Sequence, residues 1–445
     1  MELGQRLVTH GAKVTFVNTE TTQRVITNNW LEIDKDCKEL MQMVSIPDGL
    51  EPWEDRNNFD KLLPAMRKRI PSELEQLIEI INKQEDNKIT CLIVDFWLAW
   101  ALHVTKKMEI RRAIFFPAST ATLATVMSIP RLIDDGFIDN NGIPRTSEMI
   151  RLTKAMPPIK PKNLVWACVG DSSNIKDHFH NHVEIVEAAT MTEWTICNSA
   201  VELEPAAFNM FPKVLSVGPL LASNRLANQA GHFWEEDSTC IPWLDQQPAC
   251  SVIYIAFGSI TNINQTQFED LALGLELANR PFLWVVRQGL TKEPTVAYPD
   301  GYMDRVGSRG KIVSWAPQQK VLAHPSVACF MSHCGWNSTL EGVTNGRPFL
   351  CWPYFADQFH NETYICDIWK TGLRMKEDEA GIITRERIKS KVEQLLSDKT
   401  FKSNAMGIKE KVESSVKKGG LSHNNLTIFL DWIHGKDADN KDHQV

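Results

Sequence analysis

Between Trp315 and Gln358 the chain carries a dense run of residues whose types suit the binding of a nucleotide. The indole of Trp315 can stack on a flat base. Gly335 lets the backbone approach a ligand closely, and Asn337 and Ser338 begin a predicted helix and suit its N-cap. A helix start offers free N–H groups and a partial positive charge, which together suit a diphosphate.

Four polar side chains of the same stretch could bind the ribose, the hexose and the phosphates of a nucleotide-sugar. His333 ends a predicted strand, and open α/β sheets bind ligands at the carboxyl ends of their strands. Glu341 lies one helical turn after Asn337, where a carboxylate can accept hydrogen bonds from both ribose hydroxyls. Asp357 and Gln358 follow the next predicted strand and fit neighbouring hydroxyls of a hexose. Each residue alone also fits an ordinary structural role, as a core histidine, a solvated glutamate or an N-cap. Their joint spacing favours a ligand site.

The bulk properties of the chain exclude several classes of protein. Its 445 residues favour two domains rather than one, and 43% hydrophobic with 23% charged residues is ordinary for a globular protein. A net charge of −7 argues against nucleic acid as a partner. We find no apolar run of the roughly 18 residues that a membrane span needs, and the N-terminus lacks the features of a signal peptide. The ten cysteines form no CxxC pair, which favours reduced thiols in the cytosol.

Short apolar runs alternate with helical patterns, which predicts parallel strands joined by crossover helices. The predicted strands lie at 13–19, 90–96, 112–118, 193–199, 251–259, 281–287, 311–317, 327–333 and 348–354. We therefore predict an α/β protein of two doubly wound domains that face each other across a ligand cleft. The predicted divisions are a first domain at 1–220, an interdomain linker at 221–240, a second domain at 241–420, and a C-terminal helix and tail at 421–445.

The stretch from Trp315 to Gln358 resembles, over its full length, the signature box of plant UDP-sugar-dependent glycosyltransferases, including WAPQ, HCGWNS and the closing DQ. The resemblance implies the GT-B fold, in which two Rossmann-like domains face each other. It implies inverting transfer of a sugar, most simply glucose, from a UDP-sugar to a hydroxyl of a small plant metabolite such as a phenolic, flavonoid or terpenoid. It implies no metal and no cofactor besides the donor. We expect a cytoplasmic monomer.

The resemblance also implies which residues hold the donor. Trp336 together with the final Gln358 favours UDP-glucose over UDP-galactose in this family. The implied contacts are Trp315, the Ala316 backbone and Gln318 for uracil, Ser259, His333, Asn337 and Ser338 for the diphosphate, Glu341 for the ribose, and Trp336, Asp357 and Gln358 for the hexose.

The family's general base is a histidine in the loop after the first strand, which a buried aspartate orients. Asp95, in CLIVDF, matches that aspartate, and a carboxylate at the end of an apolar strand is costly unless it is partnered. The histidine has no counterpart in this sequence, because Met1 opens a predicted helix that follows the first strand in the family. His10, at the exit of that helix, lies away from the strand ends. We expect a truncated first domain with an exposed strand edge, little or no transferase activity, and an incomplete gene model or an internal start as the cause.

Two further motifs have less specific interpretations. The histidine-rich segment 177–182 (DHFHNH) is interpreted as a solvated loop rather than a metal site. Asp437 and Asp439 form a DxD sequence in a charged tail, which alone would support a metal-dependent glycosyltransferase of another fold. A non-catalytic UDP-sugar binder is the other alternative, favoured by the missing histidine. Aromatic residues near Asp95 fit either the core or an acceptor pocket: Phe96, Trp97, Phe115 and Phe116.

Overall fold

The computed structural model describes residues 1–27, 40–56, 58–84, 88–106, 108, 110–169, 175–221, 234–291 and 297–436. Most of the predicted linker (222–233) and the tail with the DxD sequence (437–445) lie outside the described residues. The strands are β1 (Val14–Thr19), β2 (Met41–Ile46), β3 (Cys91–Asp95), β4 (Arg111–Phe116), β5 (Trp194–Cys197), β6 (Val214–Ser216), β7 (Val252–Ala256), β8 (Phe282–Val285), β9 (Gly310–Val313), β10 (Val327–Ser332), β11 (Phe349–Cys351) and β12 (Gly372–Arg374).

Helices follow most strands, as the alternating pattern predicts. The α-helices are α1 (Glu2–Thr9), α2 (Glu20–Thr27), α3 (Phe59–Asn82), α4 (Leu102–Thr105), α5 (Thr120–Met127), α6 (Ile129–Asp134), α7 (Ile175–Ala189), α8 (Pro205–Met210), α9 (Cys240–Leu244), α10 (Gln265–Ala278), α11 (Tyr302–Val306), α12 (Gln318–Ala323), α13 (Trp336–Thr344), α14 (Gln358–Thr363), α15 (Arg385–Ser397), α16 (Lys399–Val416) and α17 (Leu421–Ile433). Single turns of 3₁₀-helix span Phe96–Ala101, Pro161–Asn163 and Gly307–Arg309, and a π-helical turn spans Tyr364–Ile368.

The C-terminal half is built on a six-stranded parallel sheet in the order β12-β11-β10-β7-β8-β9. Counted from β7, this is the doubly wound order 3-2-1-4-5-6, in which the chain changes direction between the first and fourth strands. Every residue of β7 and of β10 is buried, because helices cover both faces of the sheet. Such strands read as continuous apolar runs. The topology places a crevice at the carboxyl ends of β7 and β10.

The N-terminal half is also parallel, but its described strands form two sheets. β3, β4, β5 and β6 pair in sequence order, while β1 pairs only with β2. Asp95 ends β3 and opens the 3₁₀ turn that follows. The parallel α/β architecture that the sequence predicts is therefore present in both halves.

The histidine-rich segment is helical, so its prediction as a solvated loop is wrong. All of it belongs to α7, and the side chain of His182 is only 1% exposed. Nδ1 of His182 lies 2.7 Å from the carbonyl oxygen of His178, one turn earlier. The ring packs edge-on against Trp97, with 5.4 Å between centroids, and burial lowers the pKa of His182 to about 4. Within the described ranges, no group of histidine, cysteine or acidic side chains could hold a metal ion.

Indole side chains of the C-terminal half bind backbone oxygens of the N-terminal half. Nε1 of Trp336 donates to the Asn198 carbonyl at 2.7 Å, and Nε1 of Trp369 donates to the Leu203 carbonyl at 2.9 Å. Both indoles are buried. The first contact fixes the start of α13, and the second fixes the end of the π-helical turn, against the loop that follows β5.

The last helix, α17, returns to the N-terminal half. Nδ2 of Asn425 donates to the carbonyl and hydroxyl oxygens of Ser216 at 3.1 and 2.9 Å. Phe429 and Trp432 share a buried apolar cluster with Leu7 of α1. None of the described helices combines the length and apolar character that crossing a membrane requires.

Candidate active site

A cavity of about 870 Å³ opens at the carboxyl ends of β7 and β10. Its volume lies within the roughly 300–1,000 Å³ of small-molecule sites. Two of the predicted donor-site residues, Asp357 and Gln358, do not line it. The other predicted residues do: Ser259, Trp315, Ala316, Gln318, His333, Gly335, Trp336, Asn337, Ser338 and Glu341.

One wall of the cavity is the indole of Trp315, two residues beyond β9. The backbone carbonyl of Trp315 accepts a hydrogen bond from the Asp237 N–H at 3.0 Å. The ring of Trp234 packs against it, with 5.8 Å between centroids and 31° between planes. Trp234 does not line the cavity, so it supports Trp315 from another side. Trp315 therefore presents a flat surface to the cavity that Trp234 supports, and no local sequence pattern predicts this support.

The start of α13 points into the cavity. The N-cap is Gly335, which has no side chain to cap the helix. The prediction that Asn337 and Ser338 cap it is therefore wrong, because they are the second and third helical residues. Cys334, the residue before Gly335, has a φ of 65° and makes the tight turn between β10 and the helix. The Trp336 N–H donates to the carboxylate of Asp357, and the following N–H groups, of Asn337 and Ser338, give the helix start donors that suit an anion.

His333 lies where the loops after β7 and β10 come closest. A methyl group built on Gly258 or on Gly335 would lie 2.6 Å from its Nε2. Burial, together with the charge of Arg287, lowers the pKa of His333 to about 4, although a hydrogen bond with the Ala256 backbone opposes that fall. The imidazole is therefore neutral at physiological pH, so one ring nitrogen can donate to a phosphate oxygen.

Replacing Gly258 by alanine should displace His333. The φ of Gly258 is +71°, so alanine adds backbone strain of ~1–2 kcal/mol as well as the contact with the imidazole. We expect UDP binding to weaken by roughly tenfold, about the loss of one hydrogen bond to a charged group. The measurement is the dissociation constant for UDP by calorimetry, beside a thermal melt.

Gly381→Ala is the matched control for this variant. Gly381 has a φ of +75° and nothing within 4 Å of the added methyl group. It should lower the melting temperature and leave UDP affinity unchanged. Equal affinity losses in the two variants would contradict the role of the packing around His333.

The buried guanidinium of Arg287 holds the loop after β7. Nε donates to the Gly258 carbonyl at 3.1 Å, one terminal nitrogen to the Gln288 carbonyl at 3.1 Å, and the other to the Thr261 carbonyl. Arg287 is only 7% exposed. Because Gly258 and Thr261 are both bound to Arg287, the position of Ser259 between them is fixed. The guanidinium also adds positive charge near His333. Sequence reasoning missed it, because its position at the end of an apolar strand (PFLWVVR) fits an ordinary strand exit.

Two glutamines hold the carboxylate of Glu341 on the wall of the cavity. Nε2 of Gln318 donates to it at 2.5 Å, and Nε2 of Gln319 donates to its other oxygen at 2.9 Å. Gln318 is itself held by the Tyr254 hydroxyl, which donates to Oε1 at 3.0 Å, and its Nε2 also donates to the Ser338 hydroxyl at 2.9 Å. The carboxylate therefore has a fixed orientation and can accept further hydrogen bonds.

Asp357 and Gln358 lie at the start of α14, beside the cavity rather than on its wall. Oδ2 of Asp357 accepts from Nδ2 of Asn361 at 2.8 Å, and the backbone N–H of Trp336 is a second donor to this carboxylate. Burial raises the pKa of Asp357 to about 6. Oε1 of Gln358 accepts two backbone N–H groups of the preceding turn, at 2.8 and 3.1 Å. Asp357 is the N-cap residue, yet its side chain makes no capping bond.

Asp95 caps the 3₁₀ turn after β3, with Oδ1 accepting from the Trp97 N–H at 3.1 Å. Desolvation by the surrounding residues raises the pKa of its carboxyl, although Asp95 itself is exposed rather than buried as the resemblance implied. Among the residues that the structure describes, no histidine hydrogen-bonds to Asp95. Phe96 and Phe116 are buried and their centroids lie 4.6 Å apart, so they belong to the core. Trp97 is 38% exposed and is the aromatic residue of this group that is most open to a ligand.

Comparison with known proteins identifies the class that this fold and site define. The family model described as UDP-glucoronosyl and UDP-glucosyl transferase matches residues 183–413. UDP-glycosyltransferase 83A1 of Arabidopsis thaliana is 40% identical over 96% of this chain and 92% of its own length. A flavonol 3-O-glucosyltransferase of the same plant is 30% identical over 97% of this chain and 93% of its own length. The chain belongs to the UDP-glycosyltransferase family and is a glycosyltransferase by family.

Solved structures confirm the fold. The structure of Phytolacca americana UGT2 complexed with UDP-2fluoro-glucose and pterostilbene has a TM-score of 0.81, with 24% sequence identity over 97% of this chain and 96% of that chain. The predicted GT-B architecture is therefore correct.

Proposed function

We propose that the C-terminal half binds UDP-glucose and that the protein transfers the glucose, with inversion, to a hydroxyl of a small acceptor bound by the N-terminal half. The observation that carries the proposal is one cavity that joins the indole of Trp315, the start of α13 and the anchored carboxylate of Glu341. These groups match the base, diphosphate and ribose of a uridine nucleotide in kind and in order. The acceptor is a phenolic, a flavonoid or a terpenoid.

Each group of the site has a proposed contact. The uracil stacks on Trp315 near the Ala316 backbone and Gln318. His333, Ser259 and the start of α13 bind the diphosphate, and Glu341 binds the ribose. Asp357 accepts hydroxyl hydrogens of the hexose, and the amide of Gln358 donates to it. Trp336 acts on the hexose through Asp357, because its backbone N–H donates to that carboxylate and its indole N–H is bound to Asn198.

We propose that binding needs no metal, since a helix start, a histidine and a nearby guanidinium supply the positive character that a diphosphate requires. The metal-dependent alternative is supported only by the DxD sequence, which lies outside the described residues. Titration of the protein with UDP in EDTA tests both ideas. Unchanged affinity supports the proposal, and binding that appears only after Mg²⁺ or Mn²⁺ is added overturns it.

We further propose a monomer in the reducing cytosol, in keeping with free thiols throughout the described ranges.

Replacing Trp315 by alanine should weaken UDP binding by roughly tenfold, because base stacking on an aromatic side chain contributes ~1–3 kcal/mol. Trp315→Phe should recover part of the loss. The control is Trp53→Ala, since Trp53 is 81% exposed and distant in sequence from the cavity residues. Calorimetry with UDP gives the comparison, and a Trp315→Ala variant with wild-type affinity would place the base elsewhere.

The alternative function is that of a non-catalytic UDP-sugar binder. It is favoured by the surroundings of Asp95, where the described residues place no histidine. Both functions require the same donor site, so donor binding does not separate them. Turnover of UDP-glucose with an acceptor does separate them.

A further inference from the structure

Asn361 joins the turn after β10 to the carboxylate of Asp357. Its Nδ2 donates to the Cys334 carbonyl at 2.9 Å and to Oδ2 of Asp357 at 2.8 Å. The side chain is fully buried. Because both partners can only accept, the nitrogen of the amide must face them and the oxygen must face away. Oδ1 is left buried without a hydrogen-bond partner, a cost that the two donated bonds must outweigh.

The carboxylate of Asp357 needs such a donor. Burial raises its pKa to about 6, and the bonds from Asn361 and from the Trp336 N–H oppose that rise. Only the ionised carboxylate accepts hydrogen bonds through both oxygens. An amide that occupies Oδ2 also fixes the direction in which the other oxygen points. The state of Asp357 therefore depends on a residue that does not line the cavity.

We propose that Asn361 is a positioning residue for the hexose: it keeps Asp357 ionised and oriented, and it ties that carboxylate to the turn at which the diphosphate binds. The proposal rests on the proposed role of Asp357 in the donor site. It differs from that role because Asn361 touches neither the sugar nor the phosphates.

Calorimetry with UDP and with UDP-glucose between about pH 5.5 and pH 8.5 tests this proposal. Asn361→Ala should weaken UDP-glucose binding roughly fivefold and UDP binding less than about twofold. In the wild type, the contribution of the hexose to affinity should fall as the pH drops below about 6, where Asp357 takes up a proton. Loss of the amide raises that pKa further, so the same fall should begin at a higher pH in the variant.

Two comparisons separate positioning from a general structural role. In an Asp357→Asn background, Asn361→Ala should have no additional effect on the hexose contribution, because coupled residues are not additive. Asn404→Ala removes another amide bond to a backbone carbonyl, that of Lys370, far along the chain from the site. It should change neither affinity nor the pH profile.

The possible outcomes are distinguishable. If Asp357→Asn leaves the hexose contribution unchanged, the proposed donor contacts of Asp357 are wrong. If Asp357→Asn removes that contribution while Asn361→Ala alters neither its size nor its pH dependence, the role of Asn361 is overturned. Asn361→Asp keeps the shape of the side chain but places a second carboxyl group beside Asp357, so a thermal melt of each variant checks that it folds. If both Asn361 variants lose UDP binding as well, a role specific to the hexose is excluded.

Discussion

We expect a fusion that adds a histidine beside Asp95 to form product about 10²–10⁴-fold faster than the 445-residue chain, because general-base catalysis contributes a factor of this size. The fusion carries, ahead of Met1, a strand and a histidine loop of the kind that the family resemblance implies. The Trp97 N–H donates to the carboxylate of Asp95, and the positive charge of the N-terminus lowers the pKa of that carboxyl. A histidine next to Asp95 would be held and stabilised in its charged form by that carboxylate.

Product formed from UDP-glucose and a panel of phenolic and terpenoid alcohols, followed by mass spectrometry, gives the two rates. Asp95→Asn in the fusion should return the rate most of the way to that of the chain alone. The same substitution in the chain alone should have little effect. Equal rates for chain and fusion would show that another group takes the proton, and would remove the case for a non-catalytic binder.

Glu341→Ala should weaken UDP binding on the order of 10²-fold. A ribose presents two hydroxyl donors, and a hydrogen bond to a charged group contributes ~1.5–3 kcal/mol. The carboxylate is already oriented by Gln318 and Gln319 at 2.5 and 2.9 Å, so little ordering is required when the nucleotide binds. Calorimetry with UDP measures the loss.

The matched control is Glu413→Ala. Glu413 lines the same cavity, but its carboxylate lies 3.6 Å from Nζ of Lys409 and belongs to no proposed contact. It should change UDP affinity less than about twofold, as exposed ion pairs contribute little. Glu341→Gln should fall between wild type and alanine. Similar losses for Glu341→Ala and Glu413→Ala would mean that Glu341 acts only through general charge.

Much of the fold could be predicted, because strands buried on both faces are continuous apolar runs. Each predicted run contains a strand. Three strands were missed: β6 and β12 have only three residues each, and β2 (MQMVSI) mixes polar and apolar positions. β11 also has three residues but is buried throughout and lies in a longer apolar run, whereas β6 and β12 are mostly half-buried and have no such local pattern. The sequence predicts an exposed strand edge in the N-terminal half. It does not predict that the described strands there form two sheets.

The residues of the site were predictable because most of them follow strand ends within one stretch, and parallel strands bring their carboxyl ends together. Three contacts could not be predicted, because each joins segments that are distant in sequence. They are the packing of Trp234 on Trp315, the hydrogen bonds of Arg287 to the loop after β7, and the hydrogen bond of Asn361 to the Cys334 carbonyl. The error at the start of α13 has a local cause. Cys334 takes a left-handed conformation, so the helix begins earlier than the polar residues suggested.

The most direct test of the central claim is a crystal structure of the chain with UDP-glucose bound. We expect uracil stacked on Trp315, ribose hydroxyls within hydrogen-bond distance of Glu341, the diphosphate at the start of α13, and the hexose beside Asp357. Nucleotide bound outside this cavity, or an empty cavity in crystals grown at saturating donor, would contradict it.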